Sequence, residues 1–309
     1  MTFSLWLRIS ARLLAVVVLS AAGSGNPVWG YEARLHQQLT FIAAKQFNRC
    51  VSGTAIPTLS ALDVRYVAKA NASQAQTNVF TRMFRWSYYD RAREHDDVAS
   101  DDSMLWMIDT RFHDHFDVLT KALFEAASDA ERYRSLGRLI GYMQEVTSPA
   151  HAVPVYTGRW WRLSMGDRFD KYKLDVDAVA AEVGDACDYV TAPVESYKKI
   201  LTDAAQDTLT AVQAPMFGMP VTWEVFWKLA DNPSEFGEYG RAGNKFGDAT
   251  EFRCGDVRCV LLDRDPLYRD FALQRHVAAV VASMRAFYLL QGGPQISDTN
   301  ETQSGDPDR

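Results

Sequence analysis

The chain has 309 residues, 47% of them hydrophobic and 23% charged, and a formal net charge of −6. This balance excludes a disordered or fibrous chain and suits one large globular core. The acidic excess argues against broad binding of duplex nucleic acid, whose phosphates call for a basic surface.

The first thirty residues differ from the rest. Arg8 and Arg12 precede an apolar run from Leu13 to Ala22 that gives way to Gly23-Ser-Gly-Asn-Pro27. A bilayer span needs about 20 apolar residues, so residues 1–30 have the pattern of a signal peptide, with an uncleaved membrane anchor as the alternative. Export to the periplasm or the medium follows from that pattern. Removal of residues 1–30 takes away two arginines and no acid, so the net charge moves from −6 to −8.

Export also gives meaning to Cys50, Cys187, Cys254 and Cys259. An even count in an oxidising compartment implies disulfides, with buried free thiols as the alternative. The short Cys254-Gly-Asp-Val-Arg-Cys259 loop favours 254 with 259, leaving 50 with 187.

From Glu32 onward, helical periodicity dominates. Leu35, Leu39, Ile42 and Ala43 recur at helical spacing, as do Phe116, Leu119, Leu123 and Phe124, which predicts amphipathic helices. A further helix is expected from about Ser135 to Val146, stopped by Ser148-Pro149. Residues 178–212 read as one or two helices around Cys187 and Pro193. Residues 215–260, rich in Gly, Pro and aromatics without a clean period, read as loops over the bundle. Asp265-Pro266 opens a final helix to about Leu290, closed by Gly292-Gly293. The polar stretch 294–309 is expected to be a disordered tail. With no strand series evident, the fold class expected is an all-α multi-helix bundle, a single domain over residues 31–293.

The chain contains no Gly-x-Ser-x-Gly elbow, no phosphate-binding Gly-x-x-x-x-Gly-Lys loop and no Gly-x-Gly-x-x-Gly fingerprint. Serine-esterase and dinucleotide chemistry are therefore set aside. Of the six histidines, His36, His95, His113, His115, His151 and His276, His151 is the most suggestive. It follows Glu145 across a proline-made turn, and an imidazole with a carboxylate suits zinc. A solvated Glu145 and a core His151 are the bland alternative. Arg91 and Arg93 beside Asp90 could meet a phosphate or pair with neighbouring acids. Trp160, Trp161, Phe217, Trp223 and Trp227 could form an apolar rim or pack in the core.

The segment from Leu136 to His151, with Glu145 six residues before His151, resembles the signature of the zinc-dependent phospholipase C and single-strand nuclease superfamily. Three other segments are similar to the same family: Arg85-Trp-Ser-Tyr-Tyr-Asp90, His113-Asp-His115-Phe, and Trp29-Gly-Tyr31-Glu-Ala-Arg-Leu-His36. The resemblance implies a helical bundle of that type and metal ligands from Asp90, His115, Glu145, His151, His36 and the processed N-terminus. Cleavage after Gly30 would make that terminus Tyr31, and cleavage after Val28 would make it Trp29. One metal would sit on Asp90, His115 and Glu145. Another would sit on the N-terminus, His36 and Glu145 as a bridge, with His151 at a third. Asp90 would be the general base and Glu145 the bridging carboxylate.

Two departures reduce the expected zinc complement to one or two ions. Gly141 stands where the family has a histidine four residues before the bridging carboxylate. The segment Gly166-Asp167-Arg-Phe-Asp170-Lys-Tyr-Lys173 lacks the family's downstream histidine, with Asp167 or Asp170 as the candidate substitute. The implied activity is hydrolysis of a phosphodiester, preferentially a phospholipid headgroup with peripheral membrane contact, by metal-activated water. A single-strand nuclease, or a metal-poor non-catalytic binding protein, is the alternative.

Overall fold

The computed structural model describes residues 31–75, 89, 115–155, 166–233 and 235–292. The leader expected at 1–30 and the tail expected at 294–309 lie outside the described residues, as do Asp90, Arg91, Arg93, His95, His113, Trp160 and Trp161. The described chain is mostly helical, as the periodicity predicted.

Helix α1 runs over Ala33–Cys50 and buries Leu35, Leu39, Ile42, Ala43 and Phe47, one face at the predicted spacing. Helix α2, Ala61–Ala75, is opened by a reciprocal cap: Ser60 Oγ accepts from the Asp63 amide at 3.2 Å, and Asp63 Oδ2 accepts from the Ser60 amide at 2.9 Å. Helix α3 occupies 115–124. Phe116, Leu119 and Leu123 turn inward, but Phe124 is exposed with its ring towards Tyr197.

Helix α4 spans Asp129–Glu145, six residues earlier than the expected start at Ser135. Its first turn is polar and hides the apolar period, and it forms because Ser128 caps the Glu131 amide while Glu131 accepts from the Ala127 amide. The helix stops before Ser148, and Pro149 opens a four-residue helix α5, Pro149–Ala152.

The region expected as one or two helices is three: α6 at Val176–Glu182, α7 at Cys187–Val190 and α8 at Tyr197–Gln213. The final helix α9, Pro266–Leu290, is opened by Asp265 accepting from the Leu267 amide and closes before Gly292, which adopts φ +89°. Among the described residues no helix is long and apolar enough to cross a membrane.

Helices α1, α2, α4 and α9 pack as the core, with α8 against α9. The α2–α4 approach is unusually close because α4 presents glycines one turn apart. A Cβ on Gly137 would lie 2.4 Å from the Val67 carbonyl oxygen, and one on Gly141 would lie 2.9 Å from Asn71 Oδ1. Cys50–Cys187 ties α1 to α7, and Cys254–Cys259 closes a local loop, the pairing that the spacing favoured.

The expectation of loops over 215–260 needs correction. Strands β1, Trp227–Lys228, and β2, Glu238–Tyr239, form one antiparallel pair. Strands β3, Thr250–Cys254, and β4, Val257–Leu261, form another. Along β3, buried and exposed residues alternate, and the two-residue Gly255-Asp256 turn places Gly255 at φ +66°. Strands β1 and β2, two residues each, are too short for a period to stand out, whereas the alternation in β3 went unread. They are held on the bundle by a cluster of rings: Trp223 and Trp227 pack on Phe271 of α9 with centroids at 4.3 and 5.8 Å, and Phe169 meets Trp227, Phe246 and Phe271 edge-on. Trp223 and Trp227 are therefore core residues, whereas Phe217 is 88% exposed.

Candidate metal centre

His36 lies on α1, Glu145 at the end of α4, His151 in α5 and Asp170 in a single 3-10 turn at Phe169–Lys171. All four side chains are buried. The fold brings them into one line. His36 Nε2 is 3.1 Å from Glu145 Oε1, His151 Nε2 is 3.3 Å from Glu145 Oε2, and His151 Nε2 is 3.6 Å from Asp170 Oδ2. Asp170 is steadied through its other oxygen, which accepts from Ser148 Oγ at 2.6 Å.

These contacts form a chain with Glu145 in the middle, one carboxylate oxygen towards each imidazole. Among the described residues, no group of three or more His, Cys, Asp or Glu side chains is arranged to hold a metal ion. The individual spacings nevertheless match a ligand edge. For zinc bonds of about 2.0–2.1 Å in tetrahedral geometry, neighbouring ligand atoms stand about 3.3 Å apart.

The orientation of His36 carries more information than its distance. Thr40 and Ser283 donate their hydroxyls back to the helix carbonyls of His36 and Ala279, so both are left to accept from Gln144 Nε2, at 3.4 and 3.1 Å. That turns the Gln144 carbonyl oxygen towards His36 Nδ1, at 2.7 Å, and towards Asn71 Nδ2, at 2.8 Å. His36 Nδ1–H then donates to Gln144, and Nε2 faces the Glu145 carboxylate. An imidazole lone pair against a carboxylate oxygen is repulsive, so this contact calls for a proton or a cation between the two.

A second carboxylate reinforces the negative charge. Asp167 Oδ2 accepts from Trp227 Nε1 at 2.9 Å and from Tyr239 Oη at 2.8 Å, both members of one cross-strand pair, while Oδ1 accepts from the Phe169 amide. Burial, and then the nearby charge of Asp170, raise its pKa to about 6 against these three donors. Glu145 and Asp170 contact the imidazoles, and Asp167 adds a third buried carboxyl group behind Asp170.

The other predicted residues fall as follows. Tyr31 is fully buried, its ring 5.7 Å from that of His36 and its hydroxyl 3.3 Å from Thr147 Oγ1. His115 lies in α3 with its ring edge-on to Tyr142 at 5.8 Å. Asp90 is outside the described residues, but Tyr89, next to it in the chain, donates its amide to the His151 carbonyl at 2.9 Å. His276 is fully buried between the Tyr31 and Phe169 rings. The sequence left Asp167 and Asp170 equivalent; the structure distinguishes them, with Asp170 in contact with His151 and Asp167 behind it. Gln144 and Asn71 were missed, since their roles depend on Thr40 and Ser283 from distant helices.

The space opposite Gly141 belongs to Asn71, which supports Gln144 and through it His36. The absence of a histidine there is thus coupled to the close packing of α2 on α4. No family model, no curated protein and no solved structure matches this chain.

Proposed function

We propose that this protein is an exported, zinc-dependent phosphodiester hydrolase of the phospholipase C-like type, with a helical bundle related to that superfamily. The observation that carries the reading is the buried line His36–Glu145–His151–Asp170, in which the Gln144 amide turns His36 Nε2 towards Glu145. The two disulfides are in keeping with an oxidising compartment.

Zinc would be held by His36, Glu145, His151 and Asp170, with Asp90, His115 and the α-amine of a processed Tyr31 completing the set. Bound zinc supplies Lewis acidity, lowers the pKa of water to about 7 and neutralises charge on a phosphate oxygen. The chain does the positioning. Gln144 holds the His36 tautomer, Ser148 orients Asp170, and Asp167 places a further carboxylate behind Asp170. Asp90 is the candidate to take the proton from the attacking water. The phospholipid headgroup remains the preferred substrate, on the Thr147-Ser-Pro-Ala-His151 form of the motif.

Assay of the purified protein, loaded with zinc, on phosphatidylcholine vesicles and on a single-stranded oligonucleotide tests this. Release of the phosphorylated headgroup, abolished in Glu145→Gln, is the expected result. Nucleotide release instead identifies the nuclease alternative. No hydrolysis of either substrate, with no zinc retained, favours the non-catalytic binding protein, a reading also supported by the Asn71 side chain standing where a ligand would be needed.

A further inference from the structure

On the face of the molecule formed by α7, α8 and α9, a cavity of about 400 Å³ opens away from the residues discussed above. Its apolar wall comes from Ile200 and Ala204 of α8 and Val277 and Val281 of α9. That size is within the range that accepts small organic ligands.

Two arginines line it, and they differ in their partners. Arg275 is held by Asp207, at 2.8 Å, and by Thr208. Arg285 is only 8% exposed, yet among the described residues it has no ion pair, and its Nε has no hydrogen-bond partner. Its one close neighbour of note is the Tyr189 ring, which faces the guanidinium at 4.4 Å, and the side chain lines the cavity. A cation–π contact compensates part of the lost hydration of a guanidinium, but it satisfies none of its N–H donors. A buried, unpaired cation is costly unless something supplies the missing acceptors.

We infer that this cavity is a binding site for a small aliphatic monocarboxylate, whose carboxylate is taken by the Arg285 fork and whose chain lies on Ile200, Val277 and Val281. The planar fork matches a carboxylate with two parallel hydrogen bonds. The remaining wall charges select a single negative charge. Asp207 is neutralised by Arg275 and Asp203 by Lys199, while the exposed Glu182 at the rim repels a dianion more than a monoanion. The Cys50–Cys187 disulfide fixes α7, and with it Tyr189, over the site. The site shares no residue with the proposed metal centre, so the two assignments stand or fall separately.

Titration calorimetry of the full, disulfide-bonded chain with sodium decanoate tests the assignment. One saturable site is expected, weakened at least about tenfold in Arg285→Met. Arg285→Met should also leave the ligand-free thermal midpoint unchanged or raised, because a buried unpaired charge is removed. Val281→Phe, which keeps the arginine and narrows the cavity, should weaken decanoate as well, and it serves as the test if Arg285→Met does not fold. Absence of saturable binding by the unaltered protein, equal affinity in Arg285→Met, or tighter binding of decyl phosphate than of decanoate would each overturn the assignment.

Discussion

The burial of His276 makes a quantitative prediction about acid stability. Desolvation lowers its pKa from the ordinary value of 6.5 to about 4. The folded protein therefore holds this imidazole neutral, while the unfolded chain takes up a proton as pH falls through 6.5. Between those two values the unfolded state binds more protons, so the contribution of His276 to stability falls with falling pH. The loss relative to pH 7 is about 2 kcal/mol at pH 5 and about 3 kcal/mol at pH 4, since each pKa unit is worth about 1.4 kcal/mol. His276→Leu, close in volume and without a titrating group, should remove that term. Urea unfolding of both proteins across this pH range is the assay, and their stability difference cancels the groups common to both. A difference that stays constant between pH 7 and pH 4 would refute the reasoning.

Further substitutions probe the packing and the candidate centre. Gly141→His places a Cβ against Asn71 and should cost about 1–3 kcal/mol of overpacking; in the double variant with Asn71→Ala the two costs should be less than additive by urea unfolding, and simple additivity would argue against the coupling. Loss of the Cys50–Cys187 bridge, which closes a separation of 137 residues, should destabilise by about 5 kcal/mol on the chain-entropy relation, against about 2 kcal/mol for Cys254–Cys259 with a separation of 5. Thermal midpoints of the two Cys-to-Ser pairs rank them. Gln144→Leu leaves His36 Nδ1 and the Asn71 amide without their shared acceptor, so zinc affinity by competition with a chromogenic chelator should drop about 10–100-fold.

Much of the architecture was legible because local chemistry specifies it. Asp265-Pro266 and Gly292 bracket α9 within a residue, and the short Cys254–Cys259 loop dictates its own pairing. The pairing of β1 with β2 was not legible. Strands of two residues carry no period, and what holds them is the contact of Trp223 and Trp227 with Phe271 of α9. The same limit applies to the site. Glu145 and His151 lie close in sequence, so their meeting was foreseeable, whereas the choice of Asp170 over Asp167 depends on which one the Trp227–Tyr239 pair captures. Gly141 read as a lost ligand. The structure adds that the Asn71 side chain of α2 occupies the space opposite it, a reason invisible without the partner helix.

The central claim is that His36, Glu145, His151 and Asp170 form a zinc centre completed by a processed N-terminus. It is tested most directly by measuring the zinc content of the exported protein, with the N-terminal residue established by mass spectrometry of the same sample. The account predicts one or two zinc ions per chain, a terminus at Tyr31 or Trp29, and loss of metal in Glu145→Gln without loss of the fold. A correctly processed protein that carries less than one equivalent and gains none on dialysis against zinc would contradict it.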